Sequence, residues 1–274
     1  VAVGWSGYFV GLLDHSLGIK LPFGLVNGPF AGGIINLPAV FICLLVIALL
    51  VIGTRESARF NAVLVAIKIA ALTLFIALTL PIVNLDNFQP FLPLGEAGVI
   101  AAASSIFFAY VGFDAVSTAA EETRDPQRNV PIGLISSLAI CTIFYLLISM
   151  GAIGAIGAQP VMDATGQGLT PGSLALAEQC QSLAAVGQQP LVCSREALAL
   201  VLREIGWEKI GNLLGLTAFL ALPSVILMML FGQTRIFFVM SRDGLLPEVL
   251  SRIHPRFKTP HIVTYVTGLG VTLA

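Results

Sequence analysis

The sequence predicts an all-α membrane protein, and three observations point there. Hydrophobic residues make up 57% of the chain and charged residues only 11%, against roughly 25% charged in a soluble domain. The mean hydropathy is +0.93. Uncharged apolar runs recur along the chain at about 20 residues, the length that crosses a bilayer as a helix. A chain this poor in charge cannot wet its own exterior, so it needs lipid as solvent. A formal net charge of −1 supplies no basic field for nucleic acid.

The runs fix the expected spans in order. Residues 1–13 are uncharged up to Asp14 and read as the end of a span. No charge lies between Lys20 and Arg55, and residues 34–53 are the most apolar part of that interval. Residues 60–83 contain one charge, Lys68. Residues 97–120 are interrupted only by Asp114, and residues 131–157 lie in a stretch without charge. Residues 211–240 carry only Arg235, and residues 261–274 open a further span. That gives five complete spans and two partial ones, with a polar loop at about residues 158–210. Within it, the apolar stretches 173–185 and 196–205 suit short surface helices. The chain opens on Val1 and stops inside an apolar stretch, so it reads as an internal piece of a longer protein.

Charge sets the expected orientation. Spans alternate in direction, so alternate connectors share a side. Connectors 54–59, 121–130 and 241–261 hold Arg55, Arg59, Arg124, Arg128, Arg242, Arg252, Arg256 and Lys258. The other set holds Lys20, Arg195, Arg203 and Lys209. The positive-inside rule places the first set in the cytoplasm and loop 158–210 outside. Cys180 and Cys193 flank a polar segment of that loop. Their spacing fits either a disulfide or two free thiols, because sequence does not give distance. Cys43 and Cys141 lie in apolar runs and read as packing residues.

Three places could carry function. Lys68 sits well inside its span, where a lysine costs about 2.5–3.5 kcal/mol on insertion scales. An amine in oil is cheaper neutral than charged, so it can release and regain a proton as its surroundings change. Pairing or snorkelling is the bland alternative. The second place is residues 107–114, with Gly112 beside Asp114 and with Ser104, Ser105, Ser117 and Thr118 flanking. Glycine weakens a helix and Asp competes for its backbone bonds, so the helix is expected to break there. A broken helix in a membrane offers free N–H and C=O groups to an amine, a carboxylate or an ion. An ordinary packed span is the alternative. The third is Thr217, Pro223 and Ser224, where proline frees a carbonyl one turn earlier and a hydroxyl stands close by. Gly151, Gly154, Gly157, Gly211 and Gly215 read as close-packing positions between helices. Residues 121–131 read as a helix end, a turn and a restart at Pro131. His15, His254 and His261 lie in connectors without metal-ligand spacing, and His254 and His261 read as part of a solvated basic face. No catalytic set, metal site or cofactor is expected, and no enzyme.

The segment "IFFAYVGFDAVSTAAEETRDPQRNVPIGLISSL" (residues 106–138) resembles the sixth helix and following loop of amino acid–polyamine–organocation (APC) superfamily permeases, in the cationic amino acid transporter branch. "GQTRIFFVMSRDGLLPEVLSRIHPRFKTPH" (residues 232–261) is similar to that family's eighth helix and cytoplasmic loop. "NAVLVAIKIAALTLF" (residues 61–75) is similar to its fifth helix. By this resemblance the chain runs from late in the third helix to early in the ninth. The resemblance implies the LeuT-like fold of five plus five inverted-repeat helices, with a discontinuous sixth helix. It implies that the carbonyls of Phe108, Ala109 and Val111 hold a substrate amine, that Gly112 belongs to the same stretch, and that Phe113 closes over the substrate. Lys68 matches the fifth-helix lysine whose ammonium takes the place of a sodium ion in sodium-coupled relatives, and Ser224 matches a nearby hydroxyl.

The expected function is secondary active amino-acid transport by alternating access, as proton-coupled symport, in the plasma membrane (the inner membrane of a bacterium). The expected partners are an amino acid, a proton and the bilayer. An amino acid or polyamine exchanger is the nearest alternative. An uncoupled channel or a non-transporting membrane interaction protein is the alternative of another class.

Overall fold

The apolar runs fold as helices. The computed structural model describes residues 1–19, 21–29, 32–53, 58–110, 112, 125–158, 160–163, 168–169, 173–186, 188, 190–257 and 259–273. The helices are α1 (Ala2–Leu17), α2 (Phe23–Val26), α3 (Leu37–Ile52), α4 (Ala58–Thr79), α5 (Gly95–Ala109), α6 (Pro126–Ile156), α7 (Leu174–Ala185), α8 (Ala197–Glu204), α9 (Glu208–Arg242) and α10 (His261–Leu273). Among the described residues the only β pairing is in isolated bridges, Val26 to Asn36 and Met162 to Gly168. Ala62–Ile82, Pro126–Ile156 and Glu208–Arg242 are long and apolar enough to cross a membrane by length and composition. Leu37–Ile52 and Gly95–Phe107 are shorter apolar helices. α6 turns Ile132, Ile135, Ile140, Ile143 and Leu146 outward, a surface suited to lipid or to further protein.

Local sequence sets the helix ends. Asn36 caps α3 by accepting from the Ala39 N–H at 3.2 Å, and Pro38 sits in the first turn, where an N–H is not needed. The same Asn36 oxygen accepts from Ser6 Oγ at 2.7 Å, which ties α1 to the start of α3. Ser173 caps α7 through the Leu176 N–H at 3.2 Å. The expected restart at Pro131 is corrected: α6 begins at Pro126, just after Asp125 at φ 46°, and Pro131 lies inside it. Proline at the first helical position loses no bond, so Pro126 starts the helix better than Pro131 does. Gly157, expected as a packing position, instead ends α6 with φ 76° and its N–H on the Ile153 carbonyl.

The chain divides into two compact units. The first comprises residues 1–26, 35–68 and 216–274. Its core joins Trp5 of α1 to Ile42, Val46, Ile47, Leu50 and Val51 of α3 and to Ile226, Leu227 and Leu230 of α9. The carbonyl freed by Pro223 is that of Phe219, four residues back, and Trp5 Nε1 donates to it at 2.9 Å. The Trp5 ring stacks on Phe9 and Phe219 at 5.2 and 5.4 Å. α10 lies close on α3, since a Cβ on Gly268 would stand 2.4 Å from Ile47 Cγ1. The connector before α10 is anchored by Thr259, whose hydroxyl donates to the Val51 carbonyl at 2.7 Å. On the same connector, beside exposed Arg252 and Arg256, His254 Nδ1 accepts from the backbone N–H groups of Arg256 and Phe257, each at 3.2 Å.

The second unit comprises residues 27–34 and 69–215. Here the small residues of α6 admit the end of α4 and the turns after it. A Cβ on Gly151 would fall 2.2 Å from Thr79 Oγ1, and one on Gly154 would fall 2.7 Å from Val83 Cγ1. The Gly154 carbonyl accepts from Asn84 N at 2.9 Å and from Asn87 Nδ2 at 2.7 Å. α7 and α8 fall on the loop stretches expected to be helical. Cys180 and Cys193 form a disulfide with Cα atoms 5.5 Å apart, so the bonded alternative holds. α8 buries Ala199, Leu200, Val201 and Leu202, while Arg203 pairs with Glu196 and donates to Asn212 Oδ1 at 3.0 Å.

Candidate functional site

Lys68 is the eleventh residue of α4, about 15 Å along the axis from its first residue at 1.5 Å per residue. The side chain is half-buried. Its Nζ donates to Ser224 Oγ at 3.1 Å. Ser224 is buried on α9, next to Pro223, and its hydroxyl donates to the Ala221 carbonyl at 2.8 Å. With its proton committed to Ala221, Ser224 can meet the amine only as an acceptor. Two residues 156 apart in sequence are thus brought into hydrogen-bond contact within the first unit. The ammonium faces a neutral oxygen, which stabilises the charge less than a carboxylate would.

The second group lies in the other unit. α5 stops at Ala109, inside an apolar run that continues in sequence to Phe113. The helix tightens as it ends, since the Tyr110 N–H bonds the Phe107 carbonyl three residues back at 3.2 Å. Gly112 follows at φ 113°, a conformation that side-chain-bearing residues rarely adopt. The helix end at Ala109 and the positive φ of Gly112 fall within the stretch 108–113 where an interruption is expected. Phe108 is helical, and its side chain lies outside the described residues, as do Val111, Phe113 and Asp114. The flanking hydroxyls of Ser104 and Ser105 bond their own helix, at the carbonyls of Ile100 and Ala101.

Sequence reading passed over three residues at these places. Tyr145 Oη donates to the Ala109 carbonyl at 3.3 Å, and Tyr110 Oη lies 2.8 Å from Thr142 Oγ1. Trp5 meets the carbonyl that Pro223 leaves free. The available signal was the freed carbonyl itself, because a buried C=O needs a donor and the indole N–H is donor only. A cavity of about 800 Å³ opens in the second unit among Asp86, Asn87, Met162, Gln179, Leu183 and Glu204. It includes none of the residues expected to bind substrate.

Apolar helices of spanning length, with a lysine held in the middle of one of them, define an integral membrane protein. The amino acid permease family model matches residues 1–274, and the chain belongs to that family. Membership carries the LeuT-like APC fold expected from the sequence. The chain is 39% identical to the branched-chain amino acid permease BcaP of Bacillus subtilis (strain 168) over 98% of its own length and 52% of that protein. It is 38% identical to the methylthioribose transporter of the same organism, again over 98% of this chain and 52% of the relative. It is 32% identical to cationic amino acid transporter 9, chloroplastic, of Arabidopsis thaliana over 91% of this chain and 39% of that protein. The chain spans about half the length of these two Bacillus subtilis relatives.

Proposed function

We propose that the protein carrying this chain is a secondary active amino-acid carrier that works by alternating access and couples uptake to protons. The observation that carries this reading is the mid-span ammonium of Lys68 resting on the neutral hydroxyl of Ser224. A fixed cation can fill the place of a coupling ion and leave it by losing a proton, which the hydroxyl partner permits and a carboxylate would oppose. The substrate amine would bind the carbonyls of Phe108, Ala109 and Val111 where α5 ends, with Gly112 turning the backbone and Phe113 closing over the substrate. Lys68 would discharge when the site faces the cytoplasm.

An amino acid is the favoured substrate because relatives named for branched-chain and cationic amino acids match nearly the whole chain. The spans expected from the apolar runs, with loop 158–210 outside, are proposed as the topology in the plasma membrane. The Cys180–Cys193 disulfide supports an oxidising side for that loop. The similarity to a methylthioribose transporter favours one other solute class. Uptake by proteoliposomes under an imposed pH gradient, with a panel of labelled amino acids and methylthioribose, separates these readings. Concentrative, gradient-dependent uptake of an amino acid is expected. Uptake of methylthioribose alone, or amino-acid counterflow indifferent to pH, contradicts it.

A further inference from the structure

α5 ends at Ala109, where a helix runs out of regular donors for its carbonyls, and the neighbouring helix α6 supplies a donor to the last of them. Thr142 and Tyr145 are three residues apart on α6, so they share a face. Thr142 Oγ1 donates to the Leu138 carbonyl at 2.8 Å. Its single proton is therefore used, and the 2.8 Å contact with Tyr110 runs from the Tyr110 hydroxyl to Thr142. Tyr110, so held, sets its ring edge-on to that of Tyr145, with centroids 5.4 Å apart and planes at 79°. Tyr145 in turn donates to the Ala109 carbonyl at 3.3 Å. The four residues form one continuous arrangement from α6 to the last carbonyl of α5.

We infer that Tyr145, braced by Tyr110 and Thr142, is the positioning residue of the amine site, fixing the direction of the Ala109 carbonyl. This role rests on the amine site proposed above. A carbonyl oxygen has two lone pairs, so Ala109 can keep the tyrosine hydroxyl and still accept one N–H of a substrate ammonium. The hydroxyl does not compete with the substrate. It holds the Ala109 carbonyl in the orientation the ammonium needs, so it acts on binding more than on the rate of turnover.

Transport kinetics of Tyr145→Phe and Thr142→Val, made in the protein that carries this chain and assayed in proteoliposomes, test the role. Tyr145→Phe keeps the ring and removes the donor. Its KM for the best amino acid should rise about three- to tenfold, the effect of one hydrogen bond, with the maximal rate within about twofold of wild type. Thr142→Val, which removes the brace alone, should raise KM in the same direction by less. A Tyr145→Phe protein with wild-type KM, or with only its maximal rate reduced, overturns the role. If Tyr145→Phe fails to insert, a wild-type KM in Thr142→Val overturns it equally. A wild-type protein that takes up no amino acid instead removes the parent reading, so the two failures are distinguishable.

Discussion

At the scale of single residues, chemistry turns on what each polar atom meets inside an apolar span. Lys68 meets Ser224 Oγ at 3.1 Å. Removing that acceptor leaves an ammonium with a bond fewer, and hydrogen bonds to charged groups contribute about 1.5–3 kcal/mol. Ser224→Ala should therefore cut the initial rate of proton-driven uptake roughly tenfold or more. An unchanged rate across the pH range would remove Ser224 from the coupling step. Phe113→Ala should raise the KM for substrate, and an unaltered KM would count against Phe113 as the residue that closes the site. Lys68 was legible in the sequence because one charge stands in an otherwise uncharged run. Gly112 was legible because glycine beside Asp in a span has few other uses. Tyr145 was not, because a tyrosine in an apolar helix has no meaning until its neighbour's carbonyl is known.

At the scale of elements, helices hold where each backbone group finds a partner. Pro223 would leave the Phe219 carbonyl bare in the middle of α9, and the Trp5 indole from α1 repairs it. Trp5→Phe leaves that partly buried carbonyl without its indole donor, which should lower stability by about 1–3 kcal/mol. In a Pro223→Ala background residue 223 regains its N–H, so the same Trp5→Phe change should be much milder. Thermal unfolding of the four proteins in detergent gives the coupling, and strictly additive losses would contradict the repair. The element boundaries were only partly readable. The capping role of Asn36 and the helix start at Pro126 depend on local geometry that a hydropathy run does not contain. The packing roles of Gly151 and Gly154 followed from small-residue spacing, whereas Gly157 serves as a helix end.

At the scale of the whole molecule, low charge and membership of the amino acid permease family make this an integral membrane protein, and the Lys68–Ser224 contact is what the proposed carrier role rests on. The proposed topology puts the disulfide loop outside. In a Cys141→Ser background, a membrane-impermeant maleimide added to intact cells after mild reduction should label Cys180 and Cys193. Labelling only after lysis would invert the orientation. The fold class was readable because bilayer thickness imposes run length directly. Apart from Lys68 and Ser224, which the family resemblance put near each other, contacts between residues far apart in sequence were not, since an apolar helix can pack on many partners with similar gain. The proposed coupling role of Lys68 is tested most directly by Lys68→Ala uptake in proteoliposomes, compared with wild type with and without an inward proton gradient. Concentrative uptake should be lost while the protein stays folded and bound substrate can still exchange. Wild-type accumulation in Lys68→Ala, with the same dependence on pH, would contradict it.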